Sequence, residues 1–316
     1  MSLERSLGQR PESAVEVEHL SRRFRGQIAL DDVNLRIPVG SIFGLVGLNG
    51  AGKTTLLRHL VGAYKPQQGR VVVLGDDPVA HPEVVLKRVG YLTEADSLPL
   101  WMRVGDLIDF TRAIYPTWDQ QYARRLCDNF GLSRHASLAS LSKGQRARAG
   151  LLVAIAHRPE LLVLDEPSSG LDPIARGDIL EAVIRTISQD GRTVLFSSHL
   201  LDEVDRVCDC VALLHEGRIV ESLTAEQLPL RYREILGRVS GDERPPEIAE
   251  AFGWRISGGE WSAVIAAAAL QEPEFEQRYR VLEQRELSLQ RWFSAHVEPA
   301  SRSHDVLPSD EVTADA

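Results

Sequence analysis

The sequence predicts an α/β domain built on buried strands, followed by a small α+β appendage. Three observations point there. From about Ala14 to Val220, apolar strand-like runs alternate with amphipathic helical runs. One run, Ile42-Phe43-Gly44-Leu45-Val46, leads into Gly47-Leu48-Asn49-Gly50-Ala51-Gly52-Lys53-Thr54, which fits the phosphate-binding pattern G-x-x-x-x-G-K-[ST]. Another, Leu161 to Leu164, ends in two adjacent carboxylates, Asp165 and Glu166.

Along the chain, residues 1–13 read as an N-terminal extension that lacks the apolar core of a signal peptide. In the glycine-rich loop, the backbone can curl so that several N–H groups face one anion. The helical run from Thr54 to Val61 adds its positive end. Lys53 is placed to reach the outer phosphates and the Thr54 hydroxyl to meet Mg²⁺, so the chain is expected to bind a nucleoside triphosphate. A glycine-rich turn with a chance lysine is the bland alternative; the strand-loop-helix context argues against it.

Residues 97–150 have a different texture. They are rich in helical pattern, carry Trp101 and Trp118, and lack obvious strands, which suggests a helical insertion. Within them Leu141-Ser142-Lys143-Gly144-Gln145 opens a helical run from Arg146 to Ala156. Ser142, Gly144 and that helix start could offer a hydroxyl and backbone N–H groups to an anion. Alone the pentapeptide says little, since Ser-x-Gly is a common helix entry. The buried strand Leu161 to Leu164 would then hold Asp165 at its tip, beside the water shell of Mg²⁺. Glu166, one residue on, could orient or deprotonate an attacking water. A strand ending merely in solvated acids is the alternative reading.

Val194 to Ser197 and Val211 to Leu214 complete the expected buried strands. Thr224 with Gln227 suggests a capping-box start for a short helix, closing a domain over residues 14–228. An accessory region follows over residues 229–298. Gly241 to Pro246 reads as a linker, Trp254 to Trp261 as two strands joined by a Gly-Gly turn, and Pro273 to His296 as a charged helix. Residues 299–316 are polar and acidic, a composition that predicts disorder.

Composition narrows the classes. A formal net charge of −9 over 316 residues argues against a broad nucleic-acid surface. Three cysteines make no disulfide framework, and Cys208-x-Cys210 has no cluster to complete a metal site. Leu151 to Ile155 and Val264 to Leu270 are too short to span a bilayer. The Arg22-Arg23 pair and Arg146 with Arg148 read most simply as solvated faces, and Ser257 to Glu260 as a turn.

Together, these residues resemble the ATP-binding subunits of ABC transporters over roughly residues 15–225. Gly47 to Thr55 matches the Walker A loop and Leu161 to Glu166 Walker B. Leu141 to Gln145 matches the signature motif, with Lys143 where glycine is commonest. Ser169 to Asp172 matches the D-loop, and His199, after Phe196-Ser197-Ser198, the switch histidine. Phe24 falls where the family sets an aromatic ring against adenine. One position departs: Glu94 stands where the Q-loop normally carries glutamine, a variation similar to that of exporter-like ABC-2 ATPases.

The resemblance implies a cassette with a RecA-like core, an antiparallel β portion and a helical subdomain. It implies ATP and Mg²⁺ as ligands, Glu166 and His199 as catalytic residues, and Thr54, Glu94 and Asp165 around the metal. Phe24, Gly47 to Thr55, Ser142, Gly144 and Gln145 would hold nucleotide. Its partners would be a second cassette, identical or not, joined head to tail, and a transmembrane permease on a separate chain. The expected place is the cytoplasmic face of the cell membrane, with no nucleic acid bound. A soluble ABC ATPase acting on ribosomes or DNA is the alternative, although tandem cassettes and a long coiled coil are both absent. A regulatory module without turnover is a third reading, against which Glu166 and His199 stand.

Overall fold

The structure is a computed structural model and describes residues 12–93, 98–167, 191–239, 246–257, 259–272, 275–298 and 301–302. Its contacts divide the chain into two units, Met1–Ala225 and Glu226–Ala316.

In chain order the first unit contains β1 (Ser13–Phe24), β2 (Gln27–Pro38), β3 (Ile42–Val46), α1 (Lys53–Leu60), β4 (Gln68–Val73), α2 (Pro82–Leu86) and β5 (Val89–Leu92). There follow α3 (Val104–Ile114), α4 (Gln120–Asn129), α5 (Lys143–Ile155), β6 (Leu161–Asp165), β7 (Thr193–Ser198), α6 (Leu201–Val207), β8 (Cys210–His215) and β9 (Arg218–Thr224). Two sheets result, an antiparallel one in the order β2-β1-β4 and a six-stranded one in the order β5-β6-β7-β3-β8-β9. The second is parallel except for its edge strand β9. Every residue of β3, β6 and β7 is buried, which is why these strands read as unbroken apolar runs rather than alternating ones. Leu56, Leu57 and Leu60 of α1 are fully buried in the same core as Leu45, Val163 and Leu195. Each such side chain contributes about 1.5–3 kcal/mol over an exposed one, so the loop before α1 is anchored at both ends.

Between Pro99 and Ala149 the described residues form helices and no strand, apart from one isolated bridge between Arg103 and Ser137. Asp119 caps α4 by accepting from the Tyr122 N–H at 2.8 Å. Behind this segment His157, 1% exposed, stacks on Tyr115 with centroids 3.9 Å apart. Burial drives its pKa down to about 4, although nearby carbonyls of Val89 and Val153 moderate the effect. Neither ring nitrogen has a well-aligned hydrogen-bond partner. The folded state therefore favours neutral imidazole. Its contribution is complete above pH 6.5 and is lost as pH falls from there toward 4, an order of ~3 kcal/mol in all. Urea melts at pH 7 and pH 5 should show wild type losing more stability than a His157→Phe variant. Equal losses would show that His157 does not titrate on unfolding.

The second unit contains α7 (Gln227–Arg231), β10 (Tyr232–Arg238), β11 (Phe252–Ser257), β12 (Glu260–Ala266), α8 (Phe275–Tyr279), β13 (Val281–Glu286), α9 (Leu289–Val297) and β14 (Ser301–Arg302). Its sheet runs β13-β10-β12-β11-β14 around Ile235, Trp261, Ala263 and Ile265. The expected hairpin is present, with Ser257 paired to Glu260.

Three expectations need correction. The residue before α7 is Glu226, and Thr224 instead ends β9. The Gly241 to Pro246 stretch does not separate the units, because β10 precedes it and belongs to the second sheet; residues 240–245 themselves lie outside the described residues. The single charged helix from Pro273 to His296 is broken by β13. Its Glu, Gln and Arg residues favour helix weakly, and pairing of Glu283, Gln284, Arg285 and Glu286 with β10 outweighs that preference. Helix α9 then buries its own Trp292, with the buried Arg291 bound to Glu234 at 2.6 Å and to the Gly253 carbonyl. Among the described residues no helix is long and apolar enough to cross a membrane.

Candidate functional site

Three strands of the six-stranded sheet end at one place, since β7 lies between β3 and β6. The carboxyl edge of such a sheet is where ligands bind in open α/β folds. After β3 the chain enters the loop Gly47 to Gly52. A Cβ on Gly47 would stand 2.3 Å from the Leu214 carbonyl oxygen, and Gly52 has φ 110°, so the curl requires glycine at both. Lys53 Nζ reaches back over the loop to the carbonyls of Gly47 and Leu48, at 2.7 and 3.2 Å. The Ala51 N–H donates to Leu48.

A cavity of about 290 Å³ opens over this loop, lined by Ala29, Leu48, Asn49, Gly50, Gly52, Lys53, Thr54, Thr55 and Glu166. Gly47 and Ala51 are buried beneath it. Asp165 ends β6 and is 1% exposed; its Oδ1 accepts from the Thr54 hydroxyl at 3.1 Å. Glu166 turns into the cavity with φ 48°, a left-handed conformation unusual for a residue with a Cβ. Its Oε1 lies 3.0 Å from Lys53 Nζ, as an ion pair without the alignment of a hydrogen bond. Its Oε2 is 2.8 Å from Nδ1 of His199. Glu166 thus sits between the loop lysine and the histidine, with Lys53 and Glu166 both shielded from water and His199 exposed. A buried carboxylate held between two cationic or polar nitrogens, at the edge of an anion-binding loop, can accept a proton from water beside a bound phosphate.

The other expected site residues lie elsewhere in the fold. Ser142 and Gln145 form a reciprocal capping box at the start of α5, the Ser142 hydroxyl accepting from Gln145 N–H and Gln145 Oε1 from Ser142 N–H. Neither they nor Gly144 line the cavity. Phe24 does not line it either. Its ring packs edge-on against Tyr64 at 5.5 Å and under the Arg22 guanidinium at 4.6 Å. Arg22, expected on a solvated face, is therefore half-buried between aromatic rings and donates to the Lys65 carbonyl. Arg146 likewise is half-buried and donates to Leu141 at 2.7 Å. Glu94 and the D-loop stretch Ser169 to Asp172 lie outside the described residues.

Sequence reading missed Ala29, which lines the cavity from β2, and the two serines before His199. Ser198 Oγ accepts from Leu200 N–H at 3.0 Å and bonds Glu203, shaping the turn that carries His199. Ser197 Oγ joins the acidic pair. The two serines were read only as the run leading to His199, with no role of their own.

A phosphate loop between strand and helix, with an acidic pair at the tip of a nearby parallel strand, defines a P-loop nucleoside triphosphatase. Residues 30–169 match the ABC transporter family. The chain is 30% identical over 221 residues to the ABC transporter ATP-binding protein YtrB of Bacillus subtilis, covering 70% of this chain and 75% of that protein. It is 32% identical over 223 residues to the daunorubicin/doxorubicin resistance ATP-binding protein DrrA of Streptomyces peucetius, covering 69% and 67%. A solved ATP-binding subunit of an ABC transporter superposes with a TM-score of 0.63 at 28% identity, over 68% of this chain and 92% of that one. The chain belongs to the ABC transporter family, as an ATP-binding subunit that hydrolyses ATP to energise a transporter.

Proposed function

We propose that this chain powers an exporter of the ABC-2 kind, with Glu166 as the general base for ATP hydrolysis. The contact that carries this reading is Glu166 itself, set between Lys53 at 3.0 Å and His199 at 2.8 Å at the mouth of the phosphate cavity. Lys53 and the loop N–H groups of Gly47 to Thr55 hold the phosphates. His199 orients the attacking water and meets the terminal phosphate. Thr54 and Asp165, already joined through oxygen at 3.1 Å, form the hard oxygen donor set that suits Mg²⁺, with Glu94 as a further ligand. When bound, Mg²⁺ neutralises charge on the phosphate oxygens.

Ser142, Gly144 and Gln145 stand apart from the cavity of their own chain, which fits a head-to-tail pair in which each copy closes the other's site. ATP would join the two, and hydrolysis would part them. Ala29, on the cavity wall, would flank the nucleotide. The permease is a separate membrane chain, and the subunit works on the cytoplasmic face. The similarity to DrrA, a daunorubicin/doxorubicin resistance protein, supports export. A tagged Glu166→Gln chain recovered from detergent-solubilised cells with ATP present tests this. A polytopic membrane protein in stoichiometric amount is the expected result; ribosomes or DNA in its place would overturn the transporter assignment.

A further inference from the structure

Ser197 occupies a strand position that faces both acids. It is fully buried on β7, in register with Asp165 on β6 and with Leu45 on β3, the strand that leads into the phosphate loop. Its hydroxyl donates to Asp165 Oδ1 at 2.9 Å and accepts from the Glu166 N–H at 3.0 Å. The same Oδ1 receives the Thr54 hydroxyl. One oxygen of Asp165 is thereby fixed from two sides. The Glu166 backbone, in its left-handed conformation, is held at the amide that would otherwise be a buried donor without a partner.

We propose that Ser197 is a positioning residue for ATP hydrolysis, whose hydroxyl yokes the Asp165 carboxylate to the Glu166 backbone and so sets the angle between the two acids. This rests on the roles proposed above for Asp165 and Glu166. A serine serving only to fill space would need volume there, whereas a yoke needs a group that donates and accepts at once. The serine hydroxyl does both through a single atom. Without it that oxygen of Asp165 loses one of the two hydroxyls fixing it, and Glu166 can relax out of its left-handed turn and lose its aim at the cavity.

The test compares Ser197→Thr with Ser197→Val, which match in shape and differ in the hydroxyl. With the full chain, kcat of the Val variant should fall roughly 10–100-fold below that of the Thr variant, the usual worth of an outer partner to a metal or catalytic ligand. KM for ATP should stay within about threefold, because phosphate binding by the loop is untouched. The Mg²⁺ concentration at the midpoint of fluorescent ATP-analogue binding should rise by about tenfold in the Val variant alone. Equal kcat and equal Mg²⁺ midpoints for Thr and Val would overturn the proposal. Should the larger side chains prevent folding, Ser197→Ala against wild type gives the same comparison. Glu166→Gln is measured alongside; retained turnover there would remove the base from Glu166, and the Mg²⁺ midpoints would then decide Ser197 by themselves.

Discussion

Replacing Glu166 with glutamine is expected to lower ATP turnover by about 10²–10⁴-fold, the range a general base contributes. Binding should survive, and the structure gives a reason to expect it undiminished. Lys53 is engaged by Glu166 at 3.0 Å and by the Gly47 carbonyl at 2.7 Å. A phosphate entering the loop has to draw Lys53 away from the carboxylate. The amide of Gln carries no charge, so this competition weakens and ATP affinity should equal or exceed that of wild type. Single-turnover phosphate release and fluorescent-nucleotide titration separate the two effects. Unchanged turnover would end the assignment of Glu166 as base. Lost binding together with lost turnover would instead mean that the carboxylate helps to shape the pocket.

Lys53→Ala should have the opposite profile. It removes a charge-assisted hydrogen bond worth about 1.5–3 kcal/mol, so nucleotide affinity should fall roughly 10–150-fold. It also strands Glu166, which is 5% exposed and, among the described residues, would then keep His199 as its ion-pair partner. Breaking one side of a buried ion pair costs up to about 3–5 kcal/mol, and the carbonyl-rich loop offers Glu166 no other cation. The melting temperature of the nucleotide-free protein should therefore drop. Adding Glu166→Gln to Lys53→Ala should recover part of that loss, because no unpaired carboxylate remains. A double variant that melts no higher than Lys53→Ala would show that the pair contributes little to the resting fold. Unaltered affinity in the single variant would contradict the phosphate-loop reading.

Much of the core was legible because its signals are local. A glycine loop between a strand and a helix needs its residues consecutive, so Gly47 to Thr55 and the cavity they line could be read from the string. Asp165 and Glu166 were found for the same reason, as acids ending an apolar run. The second unit was harder. Its strand β13 lies in a helix-favouring stretch, and what makes it a strand is a partner about 50 residues earlier, β10, which local pattern cannot see. The Gly241 to Pro246 stretch read as a linker for a related reason, since turn chemistry is the same within a unit as between units.

By itself, then, the sequence determined the class of the first unit, the anion-binding loop and the identity of the acids, because each depends on neighbours along the chain. Only the tertiary structure decided how those acids are held. The order β6-β7-β3 sets the strand of Ser197, 31 residues past Glu166, between the acids and the loop. That placement is what brings the Ser197 hydroxyl to Asp165 and Glu166, and His199 to the carboxylate. Phe24 against Tyr64 is likewise a matter of packing. Hydrogen bonds act over about 3 Å of space, and sheet order fixes which distant residues fall within it.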